Sequence, residues 1–426
     1  MTRWLSVVGI SAEGVASLGD EARALVENAE VLVGGDRHLA MFPDHPGERL
    51  GWASPLSETV EAIAARRGRP VCVLATGDPM SYGIGVTLAR RFGPEEITVL
   101  PSVGAFALAC ARTGWAREAV GTLTLHGRPL DLIVPHLAPG ARLLVLSGDG
   151  TTPARLAARL TSTGWGESRI AVFERMGAGD ERLVEAVARD WREAAVDDLN
   201  TMAIECVAGP EARFLPRTPG LPDDAFEHDG QLTKQVVRAA TLAALAPQPD
   251  GLLWDVGAGA GSVAIEWMRA ARGARAIAIE RDPARVARIA GNAARLGVPG
   301  LQVVAGEAPG ALEGLTTPEA PDAPDAPDAP DAIFVGGGVV APEVIGICHR
   351  ALAPGGRLVA NAVTPDGEAV LTAWQARVGG GLTRIGVTNL QPVGGRQVGG
   401  RQVWKPAVPV TQWAWTRPRE ETSGDR

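Results

Sequence analysis

The run Asp255-Val256-Gly257-Ala258-Gly259-Ala260-Gly261 sets an acidic side chain ahead of three glycines at two-residue spacing. Glycine tolerates positive φ and leaves bare backbone against which a ligand can lie. The run closes the apolar stretch that starts at Leu252 and opens a helical one, Ser262 to Arg269. Glu280 ends the next apolar stretch, where a carboxylate can take both hydroxyls of a ribose. A nicotinamide dinucleotide would suit that much, and a glycine turn without ligand is the plainer reading. Two details favour S-adenosylmethionine. The acid before the first glycine would repel a pyrophosphate but suits a cationic sulfonium. The third glycine comes two residues after the second, whereas the dinucleotide fingerprint wants it three after, where Ser262 stands. The cofactor candidates here are Asp255, Gly257, Ala258, Gly259, Ala260, Gly261 and Glu280.

The first half carries a looser set. Thr76-Gly77-Asp78-Pro79-Met80 ends an apolar stretch, Val8-Gly9-Ile10 closes another, and Pro101-Ser102-Val103-Gly104 follows a third. Gly-Asp-Pro alone is a turn; together the three loops resemble those of the tetrapyrrole (corrin and porphyrin) methylase family, and the resemblance implies Gly9, Gly77, Asp78, Pro79, Ser102 and Val103 as cofactor candidates. For the substrate rich in carboxylates that such a resemblance implies, Arg37, His38, Arg128 and Arg175 are the candidate bases, with surface charge or ion pairing as the alternative. His126, before the turn residue Gly127, is either a proton carrier or a structural histidine.

Alternating apolar stretches must position these loops. Leu5–Ile10, Val31–Gly34, Val71–Ala75, Thr98–Leu100 and Leu143–Ser147 read as strands, with helices over Leu18–Asn28 and Leu56–Arg66. Further on, Leu252–Val256, Ile277–Glu280, Leu301–Val304, Ala332–Val335 and Arg357–Ala360 are strands, with helices over Leu232–Leu245 and Pro283–Leu296. Such alternation predicts an α/β chain with mainly parallel sheets. Prolines 210, 216, 219 and 222 mark a linker over residues 209–222, between domains at 1–208 and 223–416, with a disordered tail at 417–426. A Pro-Asp-Ala triplet repeat runs from Ala320 to Ala332 and reads as a loop expansion. Val393-Gly394-Gly395-Arg396-Gln397 is duplicated at residues 398–402, as if to lengthen a hairpin connection.

With 426 residues, 46% of them hydrophobic, the chain is long enough for two or three domains. A net charge of -8 argues against a protein devoted to nucleic acid. The four cysteines, Cys72, Cys110, Cys206 and Cys348, lie in apolar runs without metal-ligand spacing, and buried reduced thiols are expected, with no metal. No apolar stretch is long enough to span a bilayer, the N-terminus reads as a strand rather than a leader, and a cytoplasmic homo-oligomer is expected.

Phe226-Glu227-His228-Asp229-Gly230-Gln231-Leu232-Thr233-Lys234, taken with the glycine run, resembles the decarboxylating precorrin methyltransferase domain of the cobalamin pathway. The resemblance covers nearly all of residues 222 to 416. It implies that Thr233 and Lys234 help close over the cofactor. It also implies that Gly306-Glu307-Ala308-Pro309 lies beside the adenine, with Glu307 in place of the usual Asp and a backbone contact at Ala308. Gly336-Gly337-Gly338 and Asn361-Ala362-Val363-Thr364 match segments at later strand ends, which puts Gly337 and Asn361 near substrate.

The three loops of the first half resemble the tetrapyrrole (corrin and porphyrin) methylase family. That family's fold is two α/β subdomains with the cofactor between them. Ser11, Ala12 and Glu13 depart from the family's Gly-x-Gly-Pro-Gly in the first loop. Gly34-Gly35-Asp36-Arg37-His38, His126-Gly127-Arg128 and Glu174-Arg175-Met176-Gly177 narrow the match to the precorrin-6Y methyltransferase branch, over residues 3 to 208.

The resemblances imply a two-subdomain tetrapyrrole methylase fold followed by a Rossmann-like class I methyltransferase. They imply two S-adenosylmethionine sites per chain and a precorrin substrate methylated at C5 and C15 with one decarboxylation. No partner nucleic acid or membrane is implied. His126, Lys234 and Glu307 are the candidate catalytic residues, and His349 is a further option for the proton donor. Two other readings stay open: an RNA methyltransferase acting through the second half, and a non-catalytic scaffold in the first.

Overall fold

The computed structural model describes residues 3–316, 329–392 and 402–419. It divides into two compact units, one of Met1–Leu130 with His136–Phe214, the other of Asp131–Pro135 with Leu215–Arg426.

The first unit opens with strands β1 (Leu5–Ile10), β2 (Val31–Val33), β3 (Glu48–Leu50), β4 (Val71–Thr76) and β5 (Ile97–Leu100). Among them run helices α1 (Asp20–Glu27), α2 (Asp36–Leu39), α3 (Leu56–Ala64) and α4 (Ile84–Phe92). Leu5, Val7, Val31, Val33, Val71 and Val73 bury one face of this sheet. Val8, Ile10, Leu32, Cys72 and Leu74 bury the other. Burial on both faces is why these strands read as continuous apolar runs, and every pairing in the sheet is parallel. The order β3-β2-β4-β1-β5 sets β1 between β4 and β5, so the loops leaving these three strands emerge side by side.

The unit continues through α5 (Ala105–Thr113), β6 (Gly121–Thr124), β7 (Arg142–Leu146), α6 (Thr152–Ser162), β8 (Arg169–Glu174), β9 (Arg182–Val187) and β10 (Asn200–Glu205). Here the expectation of mainly parallel strands fails. In the order β6-β7-β10-β8-β9 only β6 and β7 run parallel. The connection from Arg175 to Glu181 is too short for the crossover helix that a parallel neighbour requires, so β8 and β9 pair as a hairpin.

The second unit has α7 (Gln235–Leu245), β11 (Leu252–Val256), α8 (Ser262–Ala270), β12 (Arg275–Glu280), α9 (Pro283–Arg295), β13 (Gln302–Ala305) and α10 (Gly310–Thr316). After it come β14 (Ala332–Val335), α11 (Val344–Ala351), β15 (Arg357–Ala362), α12 (Pro365–Val378), β16 (Gly381–Ile385), β17 (Thr388–Pro392), β18 (Gln402–Pro406) and β19 (Val410–Thr416). The seven-stranded sheet has the order β13-β12-β11-β14-β15-β19-β16, parallel except where β19 runs against β15 and β16. The order reverses between β11 and β14, and ligands of open α/β sheets bind beyond the strand ends at such a point. On β11, Leu253 joins the apolar cluster that includes residues of α7, α8 and α9. Its neighbours Leu252, Trp254 and Val256 join the cluster on the opposite face.

Of the stretch expected as a linker, Leu221 is buried in the second unit's core, with Leu215 packed against it. Strands β17 and β18 pair as an antiparallel hairpin around the duplicated Val-Gly-Gly-Arg-Gln segment. That segment up to residue 401 lies outside the described residues, as do most of the Pro-Asp-Ala repeat and the tail from residue 420. All four cysteines are free; Cys72, Cys206 and Cys348 are buried and Cys110 is half-buried. Burial pushes the Cys72, Cys206 and Cys348 thiols up to about 12, so they stay protonated and inert. Among the described residues no helix is long and apolar enough to cross a membrane.

Candidate functional site

The glycine run leaves β11 at the reversal of strand order. Gly257, Gly259 and Gly261 take φ of 71°, 60° and 75°, a region glycine enters without strain. Space demands glycine as well: a Cβ on Gly257 would lie 2.7 Å from the Gly337 Cα, so the loops after β11 and β14 touch backbone to backbone. Gly261 opens α8, and a Cβ there would meet the Ile289 side chain at 2.9 Å.

Asp255 points to the α8 face. Its Oδ2 accepts from the Ala264 amide at 3.0 Å, while Oδ1 is buried without a hydrogen-bond partner among the described residues. Burial, with Glu280 adding to it, pushes the Asp255 carboxyl up to about 7. Glu280 is also buried. One of its oxygens accepts from the Gly259 amide at 2.8 Å, and the other from the Arg281 and Asp282 amides at 3.0 Å each. Glu280 therefore holds the glycine loop, and only the oxygen that takes the Gly259 amide keeps a second lone pair for a ligand.

A strap formed by residues 220–233 runs over this loop. A Cβ on Gly259 would stand 3.2 Å from the Gln231 carbonyl. Arg238, fully buried on α7, anchors the strap: Nε donates to Glu266 at 2.6 Å, and its other nitrogens reach Asp223 and the Thr233 and Leu221 carbonyls. Glu266 on α8 in turn accepts from the Gly220 and Leu221 amides. Asp229 accepts from the Gln231 amide and pairs with Arg285 at 2.9 Å, and the Arg285 guanidinium holds its carboxyl down to about 2. Thr233 and Lys234 sit at the strap's end, and the Lys234 side chain is exposed.

In the first unit the three loops meet through backbone. Gly77 donates to the Ile10 carbonyl at 2.8 Å, and Ser102 donates to the Gly77 carbonyl at 3.0 Å. A Cβ on Gly9 would lie 2.0 Å from the Gly77 oxygen, and one on Gly104 would lie 3.1 Å from the Asp78 Cβ. Asp78 accepts from the Met80 amide, and Pro79 is buried. Val103, Met80 and Tyr82 stand exposed beside these loops. The Tyr82 hydroxyl donates to the Thr122 carbonyl at 3.1 Å, joining the loop after β4 to β6 of the second sheet. In the divergent first loop, Ser11 accepts from the Glu13 amide and Gly14 takes a φ of 69°.

Comparison with known proteins fits this pair of loop clusters. Residues 5–191 match the family model described as tetrapyrrole (corrin/porphyrin) methylases, and residues 224–417 match the precorrin methyltransferase domain. A precorrin-6Y C(5,15)-methyltransferase [decarboxylating] from Sinorhizobium sp. is 50% identical over 97% of this chain and 96% of its own length. The chain belongs to the precorrin-6Y C(5,15)-methyltransferase (decarboxylating) family. Two part-length relatives come from Salmonella typhimurium. A cobalt-precorrin-7 C(5)-methyltransferase is 32% identical over 45% of this chain and 96% of its own length. A cobalt-precorrin-6B C(15)-methyltransferase (decarboxylating) is 31% identical over 42% of this chain and 85% of its own length.

The methyl donor of the precorrin-6Y methyltransferase family is S-adenosylmethionine, and the second unit's residues fit it. Side chains at the three glycines would run into Gly337, Gln231 and Ile289, so the loop stays bare backbone against which a ligand can lie, and the unpartnered Asp255 oxygen suits a cationic ligand. Other expected residues fare unevenly. Ala308 packs half-buried against the β11–β14 core, but the Glu307 side chain is exposed and paired with Arg281 at 2.6 Å. Asn361 is held by Thr241 and Gln412 at 3.0 Å each. His349 stacks on Trp415 at 4.4 Å and serves packing.

In the first unit Arg37 donates to the Thr76 hydroxyl at 2.9 Å, next to Gly77. Burial and the neighbouring Arg37 push the His38 imidazole down to about 4, so it is neutral at physiological pH and supplies no cation. His126 and Arg128 are exposed in the turn after β6, where Gly127 has a φ of 63°. Arg175 is engaged by Asp180 and Asp197, so its charge is already answered within the fold. Arg238, Glu266 and Asn292 were missed in the sequence, and Gln231 stood there only within the quoted motif. A buried arginine inside a helical apolar pattern was the one available signal for the first.

Proposed function

We propose that the chain methylates precorrin-6B twice, at C5 through the first unit and at C15 through the second. The C15 step accompanies loss of the ring C (C12) acetate carboxyl as carbon dioxide, which gives precorrin-8x in cobalamin biosynthesis. The observation that carries this reading is the 50% identity across 97% of the chain to a relative named for both positions and for decarboxylation. The separate C5 and C15 enzymes, each matched by less than half of the chain, support one transfer per unit and two cofactor sites per chain.

S-adenosylmethionine supplies a methyl group already activated on sulfur, so the chain's own task is alignment and the exclusion of water. In the second unit Gly257, Ala258, Gly259, Ala260 and Gly261 form the floor, Asp255 and Glu280 the polar contacts, and Thr233 and Ala308 the flanks. Gly337 and Asn361 lie at strand ends on the substrate side, and Lys234 is the proton carrier this reading favours, because Arg281 holds Glu307. In the first unit Gly9, Gly77, Asp78, Pro79, Ser102 and Val103 hold the donor. Arg37, Arg128 and the exposed His126 face the substrate.

Two variants test the division. Gly259→Arg puts a long side chain where φ is 60° and a carbonyl stands 3.2 Å away, and it should abolish C15 methylation while C5 methylation continues. Asp78→Ala should do the reverse. Mass analysis of the products decides: if either variant loses both methyl groups while folded, or retains both, the assignment of one transfer to each unit is wrong.

A further inference from the structure

Asn292 on α9 is buried, and its carboxamide has every hydrogen-bonding position in use. Nδ2 donates to the Ala260 carbonyl at 3.0 Å and to the Glu227 carbonyl at 2.9 Å. Oδ1 accepts from the Glu227 amide at 2.9 Å and from Arg295 at 2.6 Å. One side chain therefore joins the glycine loop to the strap. Within the loop the Gly261 amide donates to the Ala258 carbonyl at 2.8 Å, and the Gly259 amide donates to Glu280. The peptides on both sides of the Gly259–Ala260 bond are thus clamped, and Asn292 supplies the clamp that Glu280 does not. A helix-interior asparagine is costly for the helix itself, and its polar atoms are buried here only because all are answered.

We propose that Asn292 is a positioning residue for the methyl donor in the second unit: it fixes the Ala260 carbonyl and the strap in the arrangement that binds the donor, without touching it. This rests on the reading of the glycine loop as the second unit's donor site. Asn292→Ala removes the clamp. Asn292→Asp keeps the shape but turns carboxylate oxygens toward two carbonyls, so it is the harsher change.

The test uses the full chain with S-adenosylhomocysteine as the titrant and hydrogen exchange on the ligand-free protein. Expected is about tenfold weaker binding at one class of site for Asn292→Ala, and more for Asn292→Asp. KM for S-adenosylmethionine in C15 transfer should rise with kcat nearly unchanged, while the C5 step keeps its KM. Peptides spanning residues 257–262 should exchange faster, with β11 and β12 still protected. Unchanged affinities and unchanged loop exchange in a folded variant would overturn the proposal. Faster exchange across the whole second unit would also overturn it, because that marks a merely structural role. If Gly259→Arg left the titration unchanged, the donor-site reading would fail, and loop exchange alone would then decide whether Asn292 positions the loop.

Discussion

Asp255 shows how one residue can be legible in type and illegible in state. Its place before the glycines identifies it from sequence; its burial with one oxygen unpartnered does not follow from sequence at all. The folded-state carboxyl is raised to about 7, against ~3.9 in an unfolded chain. A raised carboxyl binds a proton in the folded state that the unfolded state has released. Its contribution to stability is therefore present in full below the unfolded value and is lost as pH rises through about 7. Thermal midpoints of the ligand-free protein at about pH 5 and about pH 8 should consequently diverge more in the wild type than in Asp255→Asn. Equal changes in the two proteins would show that Asp255 is ionised throughout. Asn292 is the opposite case: nothing in its sequence neighbourhood sets it apart, because its partners Ala260 and Glu227 are brought to it by tertiary structure.

At the scale of elements, strands that form continuous apolar runs were the legible ones, whereas β8 and β10, buried but with charged or polar residues at their ends, were not. Leu5–Ile10, Leu252–Val256 and Ala332–Val335 appear where continuous apolar runs predict them. Strands β16 to β18 were missed because they are polar and largely exposed, so neither period nor composition marks them. The strap reads in sequence as a proline-marked linker running into a family motif. In the fold it is a fixed belt, because Arg238 and Glu266 form a buried pair that also binds its backbone. Removing one partner of a buried pair strands the other charge. Glu266→Ala should lower the stability of the second unit by about 3 kcal/mol. A thermal melt followed by tryptophan fluorescence, with C5 methylation assayed below the transition, checks this. An unaltered melt would show that Asp223 and the carbonyls alone satisfy Arg238.

For the whole molecule, alternation of strands and helices showed the α/β class, while the prolines between residues 210 and 222 suggested the division into halves. The reversal of strand order and the antiparallel β8–β10 sheet were not legible, because both depend on pairings between residues far apart in sequence. The acidic net charge of -8 leaves recognition of a substrate rich in carboxylates to local bases. On the proposed reading those are Arg37, beside Thr76, and the exposed Arg128, whereas Arg175 is paired with Asp180 and Asp197. The central claim is that one chain performs two methyl transfers and one decarboxylation on one tetrapyrrole. Incubating the full chain with precorrin-6B and isotopically labelled S-adenosylmethionine, then weighing the product, tests it most directly. The account predicts a product carrying two labelled methyl groups and lacking one carboxyl as carbon dioxide. A product with a single label at saturating cofactor, or with two labels and every carboxyl retained, would contradict it.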